Sequence, residues 1–302
     1  MKKVSVKNTE DNRRTLRGWH LFSSEICRKR IKIKKVCAYY FSATETTKKI
    51  CEQMGKTASG VLKLPFESYN FANPSIRKRS NDLNESLIIF GMPVIAGRVP
   101  NLFVKYLKQL RIKNSIGIAI VLYGNRNFDD GLVELRDLMS SMGVCIIGCG
   151  AFVGEHSFSK ILAKGRPDES DLQSAMEFSK KICAKIQKGE LPMKTVIRGM
   201  RKPYRKHYMP RDRYGESIDI RKVKPVTDES KCTDCKICAE ICPTGAIDRD
   251  DVSNVTGICM KCCACVKRCP ENAKSFVDAG FIYHKEELEY KYGAYKKNKI
   301  YL

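Results

Sequence analysis

Residues 232–243 read CTDCKICAEICP, and residues 259–270 read CMKCCACVKRCP. Both are written C-x-x-C-x-x-C-x-x-x-C-P. The span from Cys232 to Cys269 holds nine of the fifteen cysteines, and eight of them fall on this twice-written spacing. Three thiolates at intervals of three, on a tight loop, reach three irons of one cubane. The last cysteine, followed by proline, reaches across to the cluster of the other copy, so two clusters staple the copies together.

The spacing resembles that of bacterial two-cluster ferredoxins. It assigns one 4Fe–4S cluster to Cys232, Cys235, Cys238 and Cys269, and a second to Cys259, Cys262, Cys265 and Cys242. Zinc sites use paired C-x-x-C units or Cys with His across longer spacers, which does not match. Cys263 breaks the interval if it replaces Cys262, so it is read as a free thiol or a packing residue. Residues 226–302 form an expected small α+β ferredoxin-like domain with a C-terminal tail. Within it, Ala273–Tyr283 is expected to complete a small sheet, and His284–Lys299 to form a short helix over the rest of the chain.

Charge is unevenly placed along the 302 residues, whose net is +23. Residues 1–36 carry twelve Lys and Arg against three acids, and residues 191–225 carry eleven against three. Residues 226–302 balance at twelve of each. The basic charge is therefore an arm, residues 1–33, expected to be disordered, and a linker, residues 191–225. The linker interleaves Tyr204, Tyr208 and Tyr214 with cations and carries Pro192, Pro203 and Pro210. It is expected to dock within the molecule and set the positions of its parts. Nucleic-acid binding is the weaker reading, because composition alone is a poor indicator of it. No run reaches the ~18 apolar residues of a membrane span. The first residues lack the apolar centre of a secretory signal. A cytoplasmic, reducing compartment is expected, and exposed clusters suggest an anaerobe.

Residues 34–190 alternate apolar runs with helical patterns. Strands are expected at Val36–Phe41, Ser86–Phe90, Ile116–Leu122 and Val144–Cys149, with helices between them and a last helix near Asp168–Lys188. Such alternation means a doubly wound parallel sheet of the α/β class, whose ligands sit beyond the carboxyl ends of the strands. Three distinctive loops follow strands and should meet there. The first, Ser42–Thr47, is rich in hydroxyls and opens a helix, an arrangement suited to an anion. Cys37, Cys51, Cys145, Cys149 and Cys183 fall in core-like positions and are expected to be inert thiols.

YFSATETT (40–47) resembles the phosphate loop of flavodoxins. With GMPVIAGRVP (91–100), LYGNRNFDD (122–130) and GAFVGEHSF (150–158), it looks like a family in which a flavodoxin-like domain is fused to a two-cluster ferredoxin. That resemblance implies strand order 2-1-3-4-5 and bound FMN. The phosphate would be held by the loop Ser42, Ala43, Thr44, Glu45, Thr46 and Thr47. Pro93, Val94, Ile95, Ala96, Gly97 and Arg98 would flank the isoalloxazine ring on one side. Tyr123, Gly124, Asn125 and Asn127 would flank it on the other. The family pattern has Gly where this chain has Glu45. Gly permits positive φ and close backbone approach, and a carboxylate ~4 Å from phosphate costs on the order of 4 kcal/mol at an effective dielectric of 20. Lys48 and Lys49 offset part of that repulsion.

The function expected is electron transfer between two 4Fe–4S clusters and FMN, in contact with a redox partner protein of acidic surface. The alternatives are a flavin-dependent reductase acting on a small substrate at the FMN, and a nucleic-acid-binding protein with structural clusters. No catalytic residue is assigned; His156 and Asp129 are the positions to test. The oligomeric state is not legible in the sequence.

Overall fold

The computed structural model describes residues 31–78, 81–191 and 203–302. Most of the expected basic arm, with Cys27, and residues 192–202 of the expected linker lie outside the described residues.

β1 (Lys35–Tyr40) is buried along nearly its whole length and lies inside the sheet. It pairs in parallel with β2 (Phe66–Asn70) on one side and β3 (Ser86–Pro93) on the other. β3 pairs with β4 (Ser115–Tyr123), and β4 with β5 (Val144–Val153), all in parallel. The order β2-β1-β3-β4-β5 is the flavodoxin-like doubly wound order. β2 escapes the sequence reading because it is an edge strand, half-buried except at the exposed Ser68, with no apolar run to mark it.

Alternation in β1 feeds two cores. Cys37 and Tyr39, with Phe41 beyond them, join a cluster with Phe71, Phe103 and Leu135. Those last two stand on α3 (Asn101–Leu107) and α4 (Gly131–Ser141). Val36, Ala38 and Tyr40 face the other cluster, with Ile50 and Met54 of α1 (Thr46–Leu62) and Phe178 and Ile182 of α5 (Glu169–Lys188). α5 starts at a capping box: Asp168 accepts from the Asp171 amide, and Asp171 accepts from that of Asp168. A short α2 (Pro74–Lys78) follows β2. Cys37, Cys51, Cys149 and Cys183 are buried free thiols, as expected. Cys145 is buried too but disulfide-bonded, so the expectation of an inert thiol fails there.

The C-terminal part is small. β6 (Val226–Thr227) pairs antiparallel with β7 (Lys274–Ser275), and the short α6 (Ile237–Glu240) and α7 (Ala264–Lys267) each carry the third cysteine of a triplet, Cys238 and Cys265. The strand expected over Ala273–Tyr283 is only two residues long, because Asp278 caps α8 (Ala279–Tyr292), accepting from the Phe281 amide at 2.8 Å. The chain then returns to the large sheet. β8 (Lys299–Tyr301) pairs antiparallel with β5, making a sixth strand that no periodicity had marked. Among the described residues no helix is long and apolar enough to cross a membrane.

Candidate functional site

The loop after β1 is held from β2. The Ser42 amide donates to Asn70 Oδ1 at 3.0 Å, and Asn70 Nδ2 donates to the Ser42 carbonyl at 2.8 Å. Ser42 Oγ accepts from the Lys48 amide at 3.1 Å, so this hydroxyl serves the first turn of α1. Thr47 is buried, with its methyl under Gly91, where an added Cβ would lie 2.9 Å from Thr47 Cγ2 and 2.2 Å from Cys51 Sγ. Ala43 packs on the core. The half-buried hydroxyls of Thr44 and Thr46 have no hydrogen-bond partner among the described residues. Glu45 takes φ 66°, the left-handed conformation that Gly supplies elsewhere, at the N-cap of α1. Its Oε2 accepts from Lys48 Nζ at 2.7 Å, and its Oε1 lies 3.7 Å from Arg268 Nη1. The first turn of α1 contains no acid.

The loop after β3 is a tight reversal. Ile95 and Arg98 exchange both backbone hydrogen bonds, at 2.9 and 3.1 Å, around Ala96 (φ 50°) and Gly97 (φ 77°). Two positive φ values at the centre of such a hairpin suit its twist. Before it, the Val94 amide donates to the Leu122 carbonyl at 2.7 Å. Arg98 grips Glu134 with two bonds of 2.7 Å, and its guanidinium lies 4.7 Å over the Tyr204 ring. The loop after β4 touches this one, the Asp130 amide donating to the Gly97 carbonyl at 3.1 Å. Tyr123 is in the core beside Phe128. Gly124 backs onto the His156 ring, 2.3 Å from where a Cβ would stand. Asn125 (φ 61°) is buried; its Nδ2 donates to the carbonyls of Tyr292 and Ala294, at 2.6 and 2.9 Å, and its Oδ1 has no partner among the described residues. Asn127 Oδ1 accepts from the Asp129 amide at 3.1 Å.

The linker lies across both loops. The Tyr208 amide donates to the Ala96 carbonyl at 2.8 Å, the Arg205 amide to Asp130 Oδ2 at 2.6 Å, and the Arg126 guanidinium stands 4.3 Å over the Tyr208 ring. Intramolecular docking of this segment was expected from its composition; its landing on these two loops was not.

The two cysteine runs repeat in backbone as well as in sequence. Asp234 and Lys236 of the first run take φ 53° and 62°; Lys261 and Cys263 of the second take φ 56° and 57°. Cys263 is thus the counterpart of Lys236, a left-handed residue that opens a short helix, and not of a triplet cysteine. Cys242 Sγ accepts from the Ala246 amide at 3.2 Å, and Cys269 Sγ from that of Ala273 at 3.3 Å, four residues on in each copy. Cys232, Cys235, Cys238 and Cys269 line one cavity. Cys259, Cys262 and Cys265 all feel Cys242; burial first, and then these neighbours, push the Cys262 and Cys265 thiols up to about 12. Bound iron reverses that preference by deprotonating its thiol ligands outright. Among the described residues no three His, Cys, Asp or Glu side chains converge on a single-ion site. The first triplet and Cys269 instead share one cavity drawn from both runs.

Both runs abut the sheet loops. Arg77 donates to the Pro243 carbonyl at 2.6 Å. Lys267, midway between Cys265 and Cys269, donates to Glu155 and to the carbonyls of His156 and Ser159, the last two at 2.9 and 3.0 Å. Burial alone would raise the Glu155 carboxyl, but Lys267 and the Gly165 amide hold it below the ordinary range. Burial, and then His284, Lys267 and Arg126, push the His156 imidazole down to about 4. Asn70, Lys267 and His284 escaped the sequence reading as contact makers: the first sits on the unrecognised β2, and the other two act only through tertiary placement.

The 4Fe–4S binding domain family matches residues 225–248. The chain is 38% identical over 56 residues to pyruvate synthase subunit PorD of Methanocaldococcus jannaschii, covering 18% of this chain and 65% of that one. It is 38% identical over 53 residues to the same subunit of Methanothermobacter marburgensis, covering 18% and 64%. The matches thus span somewhat less than two thirds of the length of these relatives. Among solved structures, an archaeal flavodoxin is 16% identical, covering 51% of this chain and 99% of that one, with a TM-score of 0.34. Rubredoxin oxygen:oxidoreductase from Desulfovibrio gigas is 16% identical, covering 54% and 38%, with a TM-score of 0.38. Fusobacterium nucleatum flavodoxin bound to flavin mononucleotide is 17% identical, covering 52% and 98%, with a TM-score of 0.34.

The class is that of an iron–sulfur protein built onto a flavodoxin-like sheet. More particularly, a 4Fe–4S ferredoxin-like segment follows that sheet in one chain, and these features support a role in electron transfer.

Proposed function

We propose that this chain passes electrons between two 4Fe–4S clusters and a bound FMN. Cys232, Cys235, Cys238 and Cys269 would hold one cluster, and Cys259, Cys262, Cys265 and Cys242 the other. The observation that carries the reading is the junction at Lys267 and Arg268. These two residues stand between cluster cysteines and reach both the loop after β5 and the loop after β1. Through them the second cysteine run is anchored beside the loops that the resemblance gives to the flavin.

FMN fits the phosphate end of this site. Two unpartnered threonine hydroxyls, Thr44 and Thr46, stand at the start of a 17-residue helix whose first turn lacks an acid. The Glu45 carboxylate is occupied by Lys48 and Arg268, and its left-handed backbone replaces the conformational role of Gly. At the ring end, the orphaned Asn125 Oδ1 is an acceptor awaiting a donor. A bound flavin would accept electrons singly or in pairs and so join one-electron and two-electron partners. The residues around it would bind, orient and shield it: the loops after β3 and β4 from the sides, and Tyr204–Tyr208 from outside.

Residues 34–190 and 226–302 would be the two functional units, with 191–225 as the strap between them and 1–33 as a basic extension. The pyruvate synthase relatives support a redox enzyme as the electron partner, met at the basic surface. Oxygen-free purification with iron, sulfide and flavin quantified tests the proposal. Two cubanes and one flavin per chain are expected, with flavin bleaching when the clusters are reduced. A colourless chain that takes up no iron overturns it, and iron without flavin overturns the flavin half.

A further inference from the structure

The strap and α8 enclose a cleft of about 460 Å³, within the range of small-molecule sites. Its flat walls are Tyr208, Tyr292 and His284. His284 is only 5% exposed, yet its ring has no hydrogen-bond partner among the described residues. Its nitrogens are not among the fully buried, unpartnered side-chain atoms of the described residues, so they are open to what enters the cleft. Burial, with the cations Arg126 and Lys291, pushes its imidazole down to about 4, so at neutral pH the ring offers one donor and one acceptor.

The charge around the cleft is unbalanced. Of its two carboxylates, Glu287 is ion-paired with Arg213 at 2.8 Å and Lys291 at 2.7 Å, while Asp212 keeps its charge and accepts at Oδ1 from the amides of Tyr214 and Glu216, both at 2.9 Å. Lys206 and Arg211 line the same cleft with no carboxylate partner among the described residues. The Tyr208 ring, already backed by Arg126, turns the wall toward a flat ligand.

We propose that this cleft binds a small planar organic carboxylate, its charge met by Lys206 and Arg211, its polar substituent by His284, and its flat body by Tyr208 and Tyr292. The Tyr208 backbone joins the Ala96 loop, so the ligand sits against the loops given to the flavin ring. The site deepens the reductase reading of that region, as the place of its small substrate. Binding of the carboxylate does not depend on the flavin.

Benzoate is the probe, titrated by calorimetry into the full chain purified without oxygen, with iron and flavin quantified on the same sample. Saturable benzoate binding is expected, with the neutral isostere benzamide at least about tenfold weaker. Lys206→Ala and Arg211→Ala, both at exposed positions, should each weaken benzoate several-fold at unchanged melting temperature and iron content. His284→Phe should weaken 4-hydroxybenzoate more than benzoate. No saturable benzoate binding up to about 10 mM, or equal affinity for benzamide, or full affinity in the Lys206→Ala, Arg211→Ala double variant overturns the site. Benzoate bound by a flavin-free chain keeps this site and removes the flavin reading; flavin present with no benzoate bound does the reverse.

Discussion

Arg268 Nη1 lies 3.7 Å from Glu45 Oε1. One residue precedes Cys269; the other stands where flavodoxins place a glycine that approaches phosphate. The carboxylate that would repel phosphate is thus drawn off by Lys48 from one side and by the cysteine run from the other. The acid at this position ties the two parts of the chain together electrostatically.

Glu45→Gly is therefore expected to tighten FMN binding by about one decade, a screened fraction of the ~4 kcal/mol of an unshielded charge pair at 4 Å. Stability should change little. Relief of the left-handed backbone gains about 1 kcal/mol, and loss of a half-exposed ion pair forfeits at most about 1 kcal/mol. Flavin fluorescence titration of the cluster-loaded protein reads the affinity. Unchanged or weaker FMN binding would remove Glu45 from the phosphate's neighbourhood.

Lys267→Met leaves the carbonyls of His156 and Ser159 and the Glu155 carboxylate without their donor in a part-buried junction. A loss of about 2 kcal/mol is expected. It should appear as a lower urea midpoint, while iron content stays at the wild-type level because every cysteine remains. If iron falls and the midpoint does not, Lys267 serves the cluster and not the junction.

The eight cysteines, four of the five parallel strands and the three loops were legible because each leaves a local mark: a fixed spacing, an apolar run, or a polar turn after one. β2 was not, since FESYN is half-buried at an edge and carries neither a run nor a clean alternation. β8 was not, because its three residues are held by pairing with β5 and by Asn298, which donates to Asp171 at 2.8 Å and accepts from the Val153 amide at 3.0 Å. The same holds within the site. Ser42 and Thr47 were marked by their hydroxyls and by the resemblance to a phosphate loop. What the sequence could not give is their packing: Ser42 Oγ accepts from the Lys48 amide and the Thr47 methyl lies under Gly91, and only tertiary contacts decide such side-chain directions.

The proposed ligand crossover between the runs gives a paired test. Cys269→Ala should remove a ligand from the cluster of the first triplet, and Cys242→Ala from that of the second. Each should lower iron from about eight toward about four per chain, with different residual spectra in electron paramagnetic resonance. Cys263→Ala should leave iron unchanged, since that residue is the counterpart of Lys236. Equal iron loss in Cys263→Ala would move it into a ligand set.

Two histidines, His156 half-buried and His284 buried, predict a pH dependence of known sign. His156 and His284 are held at about 4 in the folded chain, against about 6.5 when unfolded. Above pH ~6.5 both states are neutral and the stability due to burial is complete. As pH falls from there, the unfolded chain takes up protons that the folded one refuses, so stability declines until the pH reaches about 4. The limiting slope is about 1.4 kcal/mol per pH unit for each histidine. Carboxylates contribute chiefly below about pH 5, and Glu155, next to His156, stays ionised above that because its carboxyl is held low. Urea unfolding without oxygen between about pH 5 and 7.5 should show the decline. His156→Asn, which keeps an acceptor near the Phe158 amide that Nδ1 now receives at 3.1 Å, should remove about half of the slope. His284→Phe should remove much of the rest. A wild-type midpoint that does not move across this window would mean that both rings accept protons in the folded protein, and that water reaches the packing between the sheet loops and α8.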